Sequence, residues 1–143
     1  MRHGRRWVGA LLILAGLVVP ACASVAEEEE ALKQPATLEE IEGTDVSRIT
    51  LTKEAAVRVD IEADPVVASG SGTSIPYAAV FYTADGKTWT YTSPEPLTFV
   101  RVPIVVDRIR GERAFLSDGP PLGMEVVTQG ASELYGTETD VEE

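Results

Sequence analysis

Leu97-Thr98-Phe99-Val100-Arg101-Val102-Pro103-Ile104-Val105-Val106-Asp107 is the longest run of this chain that reads as β-strand. Side chains of a strand point alternately to its two faces, so Val100, Val102, Ile104 and Val106 fall on one face, and Phe99, Arg101, Pro103 and Val105 on the other. Pro103 has no N–H to give to a ladder, which points to an edge or a bulge at that position.

The pattern continues to either side. Thr88-Trp89-Thr90-Tyr91-Thr92 alternates aromatics with threonines, as a strand with one buried and one wet face would. Ala84-Asp85-Gly86-Lys87 supplies the chemistry of a tight hairpin turn and joins it to a strand at 77–83. Beyond Asp107, Arg110-Gly111 turns the chain into a strand at 113–116. A wide loop, Asp118-Gly119-Pro120-Pro121-Leu122-Gly123, precedes another at 125–128. One helical turn, 131–134, follows Gly130.

Closer to the N-terminus, residues 46–51 alternate as a strand. Thr52 is then placed to cap a short helix from Lys53 to about Val59, with Ala55, Ala56 and Val59 facing inward. Asp60 accepts the left-handed conformation that ends such a helix, and 61–68 resumes as strand. Ser69-Gly70-Ser71-Gly72-Thr73-Ser74 has no side chain suited to packing and reads as a flexible connector between two halves. The expected fold is mainly β: a small β-barrel or sandwich of about six to seven short strands with one short helix, over 44–136.

Residues 1–23 read as an export segment. Arg2, Arg5 and Arg6 precede an apolar stretch that closes on Ala21, Cys22, Ala23 and Ser24. Val19-Pro20-Ala21-Cys22 resembles a bacterial lipobox, with Pro20 standing where a small or hydroxylated residue is usual; Cys22 would be the lipid attachment. Cleavage after Ala23 and an uncleaved transmembrane anchor are the competing readings; all three place the domain outside the cytoplasm, and lipidation or the anchor would hold it at the membrane of a bacterial envelope. Residues 24–43 are rich in glutamate, including Glu27, Glu28, Glu29 and Glu30, and read as a disordered acidic tether. Residues 137–143 read as an acidic tail.

The chain has 143 residues and a formal net charge of -11. Beyond Ala21 it carries 9 basic against 23 acidic side chains, which disfavours phosphate backbones and excludes nucleic-acid binding as a main role. The one cysteine can close no internal disulfide.

The one histidine, His3, lies in the export segment, so a Ser/His/Asp or Cys/His arrangement has no imidazole in the domain. No thiol–imidazole cluster is present for zinc or copper, and no catalytic residue, cofactor or metal ligand is expected. Asp60, Asp64, Asp107 and Asp118 could supply paired carboxylates, but acids on so acidic a surface are ordinarily solvated. Trp89, Tyr91, Phe81 and Phe99 could line a ligand site, although alternating aromatics on strands are more often core. Arg101, Arg108, Arg110 and Arg113 form the one dense basic group of the domain, open to contact with an acidic partner or to neutralisation by nearby acids.

Two segments carry a family resemblance. Leu51-Thr52-Lys53-Glu54-Ala55-Ala56-Val57-Arg58-Val59-Asp60-Ile61-Glu62-Ala63 looks like the first segment of bacterial periplasmic adaptors, also called membrane fusion proteins, with Asp60 and Ala63 replacing a usual glycine and threonine. Ile75-Pro76-Tyr77-Ala78-Ala79-Val80, the Asp85-Gly86 turn, Phe99 to Val105 and Gly119 to Val127 resemble, in order, the entry strand, turn, Arg-x-Val strand and closing strand of their membrane-proximal domain. Those adaptors carry lipoyl, hairpin and barrel domains where this chain has Ser69 to Ser74. The resemblance implies a non-enzymatic docking or accessory role beside an integral membrane transporter of an efflux system. The alternative is an independent lipoprotein that captures a small ligand or an envelope polymer.

If Cys22 is acylated, cells supplied with radiolabelled fatty acid will label the chain, and Cys22→Ser will abolish the label.

Overall fold

The computed structural model describes residues 34–140. The export segment, Cys22 and the first part of the tether lie outside the described residues. Eleven strands and two helices build the domain: β1 (Ala36–Glu40), β2 (Ser47–Leu51), α1 (Lys53–Val59), β3 (Glu62–Pro65), β4 (Val67–Ser69), β5 (Gly72–Pro76), β6 (Phe81–Tyr82), β7 (Thr88–Glu95), β8 (Thr98–Pro103), β9 (Val105–Arg110), β10 (Arg113–Asp118), β11 (Glu125–Gln129) and α2 (Ala131–Thr139). A single 3-10 turn, Tyr77–Ala79, stands between β5 and β6. Every strand pairing is antiparallel. One seven-stranded sheet runs β1-β2-β8-β7-β11-β3 with β6 beside β7, and a four-stranded sheet runs β4-β5-β10-β9. The mainly-β, sandwich-like class agrees with the sequence pattern, and no barrel closes.

The strand count exceeds the expected six to seven because two runs that read as single strands each bend from one sheet into the other, and because β1 and β5 arise in the stretches read as tether and connector. The 97–107 run breaks at Ile104, so that β8 and β9 belong to different sheets, and the 61–68 run breaks at Val66 between β3 and β4. Both pivots are buried, Val66 at 1% and Ile104 at 5% exposure. Their backbones stay bonded through the bend: Ile104 N–H donates to Thr88 O at 3.0 Å, and Val66 N–H donates to Met124 O at 2.9 Å. A bend whose amides are satisfied and whose side chain is apolar costs little, which is how strands change sheet at a corner.

Two apolar clusters fill the interior. Ile49, Leu51, Ala55, Tyr91, Phe99, Val127 and Leu134 form one; Val66, Ile75, Ala79, Ile104, Ala114, Leu116 and Val126 form the other. Val126 and Val127 are neighbours on β11, both fully buried, and each enters a different cluster. The larger sheet is therefore packed on both faces. That overturns the expectation of a wet face at 88–92: Trp89, Thr90, Tyr91 and Thr92 are all buried.

Local signals held at α1. Thr52 Oγ1 accepts the Ala55 N–H at 3.1 Å, and Asp60 closes the helix at φ 56°, ψ 52°. Three other expectations change. Residues 36–40, assigned to the disordered tether, form β1 against β2, because Ala36 and Leu38 at period two reach the first cluster while Thr37, Glu39 and Glu40 stay in solvent. The Ser69-to-Ser74 connector is a hairpin between β4 and β5. Gly72 is needed there, since a Cβ would meet Leu116 O at 2.7 Å. Finally, α2 continues to Thr139, five residues beyond the single turn expected, which removes Glu138 from the acidic tail.

Thr90 Oγ1 is buried with no hydrogen-bond partner. An unsatisfied buried hydroxyl costs free energy that an apolar group of the same shape does not. Thr90→Val is expected to leave the melting temperature unchanged or raise it, measured by thermal unfolding followed by circular dichroism.

Candidate docking groove

The switch at Ile104 sends β9 out to the rim of the four-stranded sheet, where it is a terminal strand paired on one side to β10. Its register opposes Arg110 to Arg113, Ile109 to Ala114, Arg108 to Phe115 and Val106 to Leu116, leaving Asp107 as an extra residue. Opposed residues share a face. Val106 and Ile109 therefore lie on the side of buried Ala114 and Leu116, while Arg108 and Arg110 lie on the outer side with Phe115 and Arg113. The Arg108 guanidinium stands 4.3 Å from the centre of the Phe115 ring and 2.9 Å from Asp107 Oδ2.

A groove of about 660 Å³ runs between β9 and the hairpin of β6 and β7, lined by Tyr82, Lys87, Thr88, Val105, Arg108 and Ile109 among others. Tyr82, Val105 and Ile109 are 57%, 53% and 45% exposed. Isolated exposed apolar residues are ordinary, but three sharing one groove form a patch of the kind that marks an interaction site. Loss of water and then the neighbouring Tyr77 hydroxyl hold the Tyr82 phenol above its ordinary pKa, and Tyr77 itself is 42% exposed, extending the patch. At the far rim, Lys87 Nζ lies 2.8 Å from Asp85 Oδ2. The Lys87 ammonium first, and the Thr83 hydroxyl second, hold the Asp85 carboxyl well below the usual carboxylate range.

The four arginines of the basic group have separate fates. Arg108 and Arg110 are exposed on β9. Arg113 is half-buried and holds Ser74, donating to its O at 2.9 Å and its Oγ at 2.8 Å. Arg101 is 7% exposed and closed to a partner, correcting its place among the contact residues. Its Nε lies 3.2 Å from Glu138 Oε2, and its Nη2 donates to Asp45 O at 2.7 Å. Trp89 and Tyr135 flank the guanidinium at 4.3 and 5.6 Å. Glu138, itself 6% exposed, also accepts the Ser47 N–H at 2.9 Å and the Tyr91 hydroxyl at 2.5 Å. Burial, and then the bond to Glu138, push the Tyr91 phenol far above its ordinary pKa.

The aromatics weighed as a ligand site serve the interior instead. Phe81 stacks on Tyr91 with centroids 5.3 Å apart, and Trp89 and Phe99 are buried. The groove residues Tyr82, Val105 and Ile109 carry no local signal that would have singled them out, because their exposure follows from the bend at Ile104. Among the described residues, no group of three or more His, Cys, Asp or Glu side chains is placed to hold a metal ion. No helix there is long and apolar enough to cross a membrane.

Removing one partner of a buried ion pair leaves an uncompensated charge, which costs about 3–5 kcal/mol. Arg101→Met is expected to lower stability by about that amount in urea unfolding, and Arg101→Met with Glu138→Leu to recover part of the loss.

Compared with protein-family models, curated proteins and solved structures, the chain matches none of them.

Proposed function

We propose that the chain is a non-enzymatic, membrane-tethered protein of the bacterial cell envelope. Its β domain is an adaptor-like docking module for an integral membrane transporter, with the groove beside β9 as the contact. The carrying observation is the gathering of exposed apolar side chains and cationic ones on one rim of a domain that is otherwise strongly acidic. Residues 34–140 carry eight basic and seventeen acidic side chains. Two of the basic ones, Lys87 and Arg108, line the groove, and Arg110 lies two residues beyond Arg108 on β9.

The lipobox-like Val19-Pro20-Ala21-Cys22 and the adaptor-like order of segments support the same reading. The groove has the character of a contact surface: it is open, and its charged side chains Lys87 and Arg108 are each next to a carboxylate, Asp85 and Asp107.

The second reading, a free-standing binding lipoprotein, has one observation in its favour. A cleft of about 450 Å³ lies between the β1–β2 loop and α2, lined by Leu38, Glu40, Asp45, Arg101, Tyr135 and Glu138 among others. The Arg101 and Glu138 charges at that cleft already satisfy each other, which leaves docking as the preferred function.

A photo-reactive amino acid placed at Ile109 is expected to crosslink in cells to an integral membrane protein, whereas the same group at Val57, exposed on α1, is not. Docking is wrong if position 109 yields no membrane-protein adduct. A soluble ligand that raises the melting temperature would then establish the second reading.

A further inference from the structure

Besides the two-residue β6, four strands end the two sheets, namely β1, β3, β4 and β9, and each offers an edge to a further strand. Three are poorly suited to receive one. β1 carries Glu39 and Glu40, β3 carries Glu62 and Asp64 and ends at Pro65, and β4 is three residues long. β9 is six residues long, and two of its three charges are positive. It also has the groove along its side.

From this we infer that β9 receives an extended segment of the docking partner as an added antiparallel or parallel strand, and that this segment alternates acidic with apolar residues. The inference rests on the docking reading of the same groove and names what fills it. The alternation follows from the register. On the outer face the incoming strand meets Arg108 and Arg110; on the inner face it meets Ile109. Side chains of a strand alternate between those two faces, so acid opposite arginine fixes apolar opposite Ile109. Backbone pairing supplies the affinity and the alternating side chains supply the selectivity.

The same charges act against a second copy of the chain. A two-fold antiparallel alignment centred on Asp107 sets that carboxylate against its own copy, one centred on Arg108 sets guanidinium against guanidinium, and one centred on Ile109 sets Arg108 against Arg110. Like charges directly opposite destabilise a strand pair. The bulge at Asp107 further guards the edge against flat self-pairing. A strand of opposite charge meets neither obstacle on the outer face.

The test uses the full chain in detergent and four capped heptapeptides: Glu-Val-Glu-Val-Glu-Val-Glu, its lysine counterpart, and two versions of the glutamate peptide N-methylated at alternate residues, one for each edge. The glutamate peptide is expected to bind saturably by calorimetry and to protect β9 amides from hydrogen exchange. The lysine peptide, one of the two N-methylated versions, and the pair Arg108→Gln with Arg110→Gln should each bind at least tenfold more weakly. Equal binding of both N-methylated versions would overturn strand addition, and equal binding of the lysine peptide would overturn the charge assignment. Self-association of the free chain that Arg108→Gln with Arg110→Gln abolishes would also overturn the inference, because a second copy would then fill the edge. If no peptide binds while position 109 still crosslinks to a membrane protein, strand addition falls and docking stands. Docking falls only if that crosslink is also absent.

Discussion

Everything at the exposed rim depends on a buried isoleucine. Ile104 leaves the larger sheet and enters the smaller one without losing its backbone hydrogen bond, and its side chain fills the cluster that also holds Val66, the pivot of the other crossing strand. Two crossings anchored in one apolar cluster fix how far the smaller sheet stands from the larger. They thereby set the width of the groove between β9 and the β6–β7 hairpin. A polar residue at either pivot would place an unsatisfied group at the corner, and the cost would appear at the groove as well as in the core.

The opposite side of the larger sheet is governed by charge. Glu138 accepts from a backbone amide, a phenol and a guanidinium, so its carboxylate is as fully solvated by the protein as water would have made it. Buried pairs of this kind add little net stability, but they tolerate only one arrangement of their donors. Here that arrangement holds α2, the loop before β2 and the middle of β8 in one geometry. The apolar cluster beneath includes Leu134, Ile49 and Phe99.

Elements whose cause lies within a few residues were legible in the sequence. Thr52 and Asp60 bracket α1 because an N-cap oxygen and a left-handed terminus act at distances of three or four residues. Elements decided by distant partners were not. The apolar alternation of residues 97–107 runs through Ile104 without interruption, so nothing local marks the change of sheet. Ala36 and Leu38 are too few to announce a strand among glutamates, and only the waiting edge of β2 makes them one. For the candidate site, the basic group was visible as composition. Its division into a buried Arg101, a tied Arg113 and an open Arg108 and Arg110 required the register of β9 on β10 and the position of Glu138.

The pairing of Arg101 with Glu138 spans 37 positions of the chain. A polypeptide emerging N-terminus first exposes the guanidinium and all of β7 and β8 well before the carboxylate that completes them. Over that interval Trp89 and Tyr91 have no finished interior to enter. The interior of the larger sheet is thus complete only once α2, which supplies Leu134 and Glu138, has joined it.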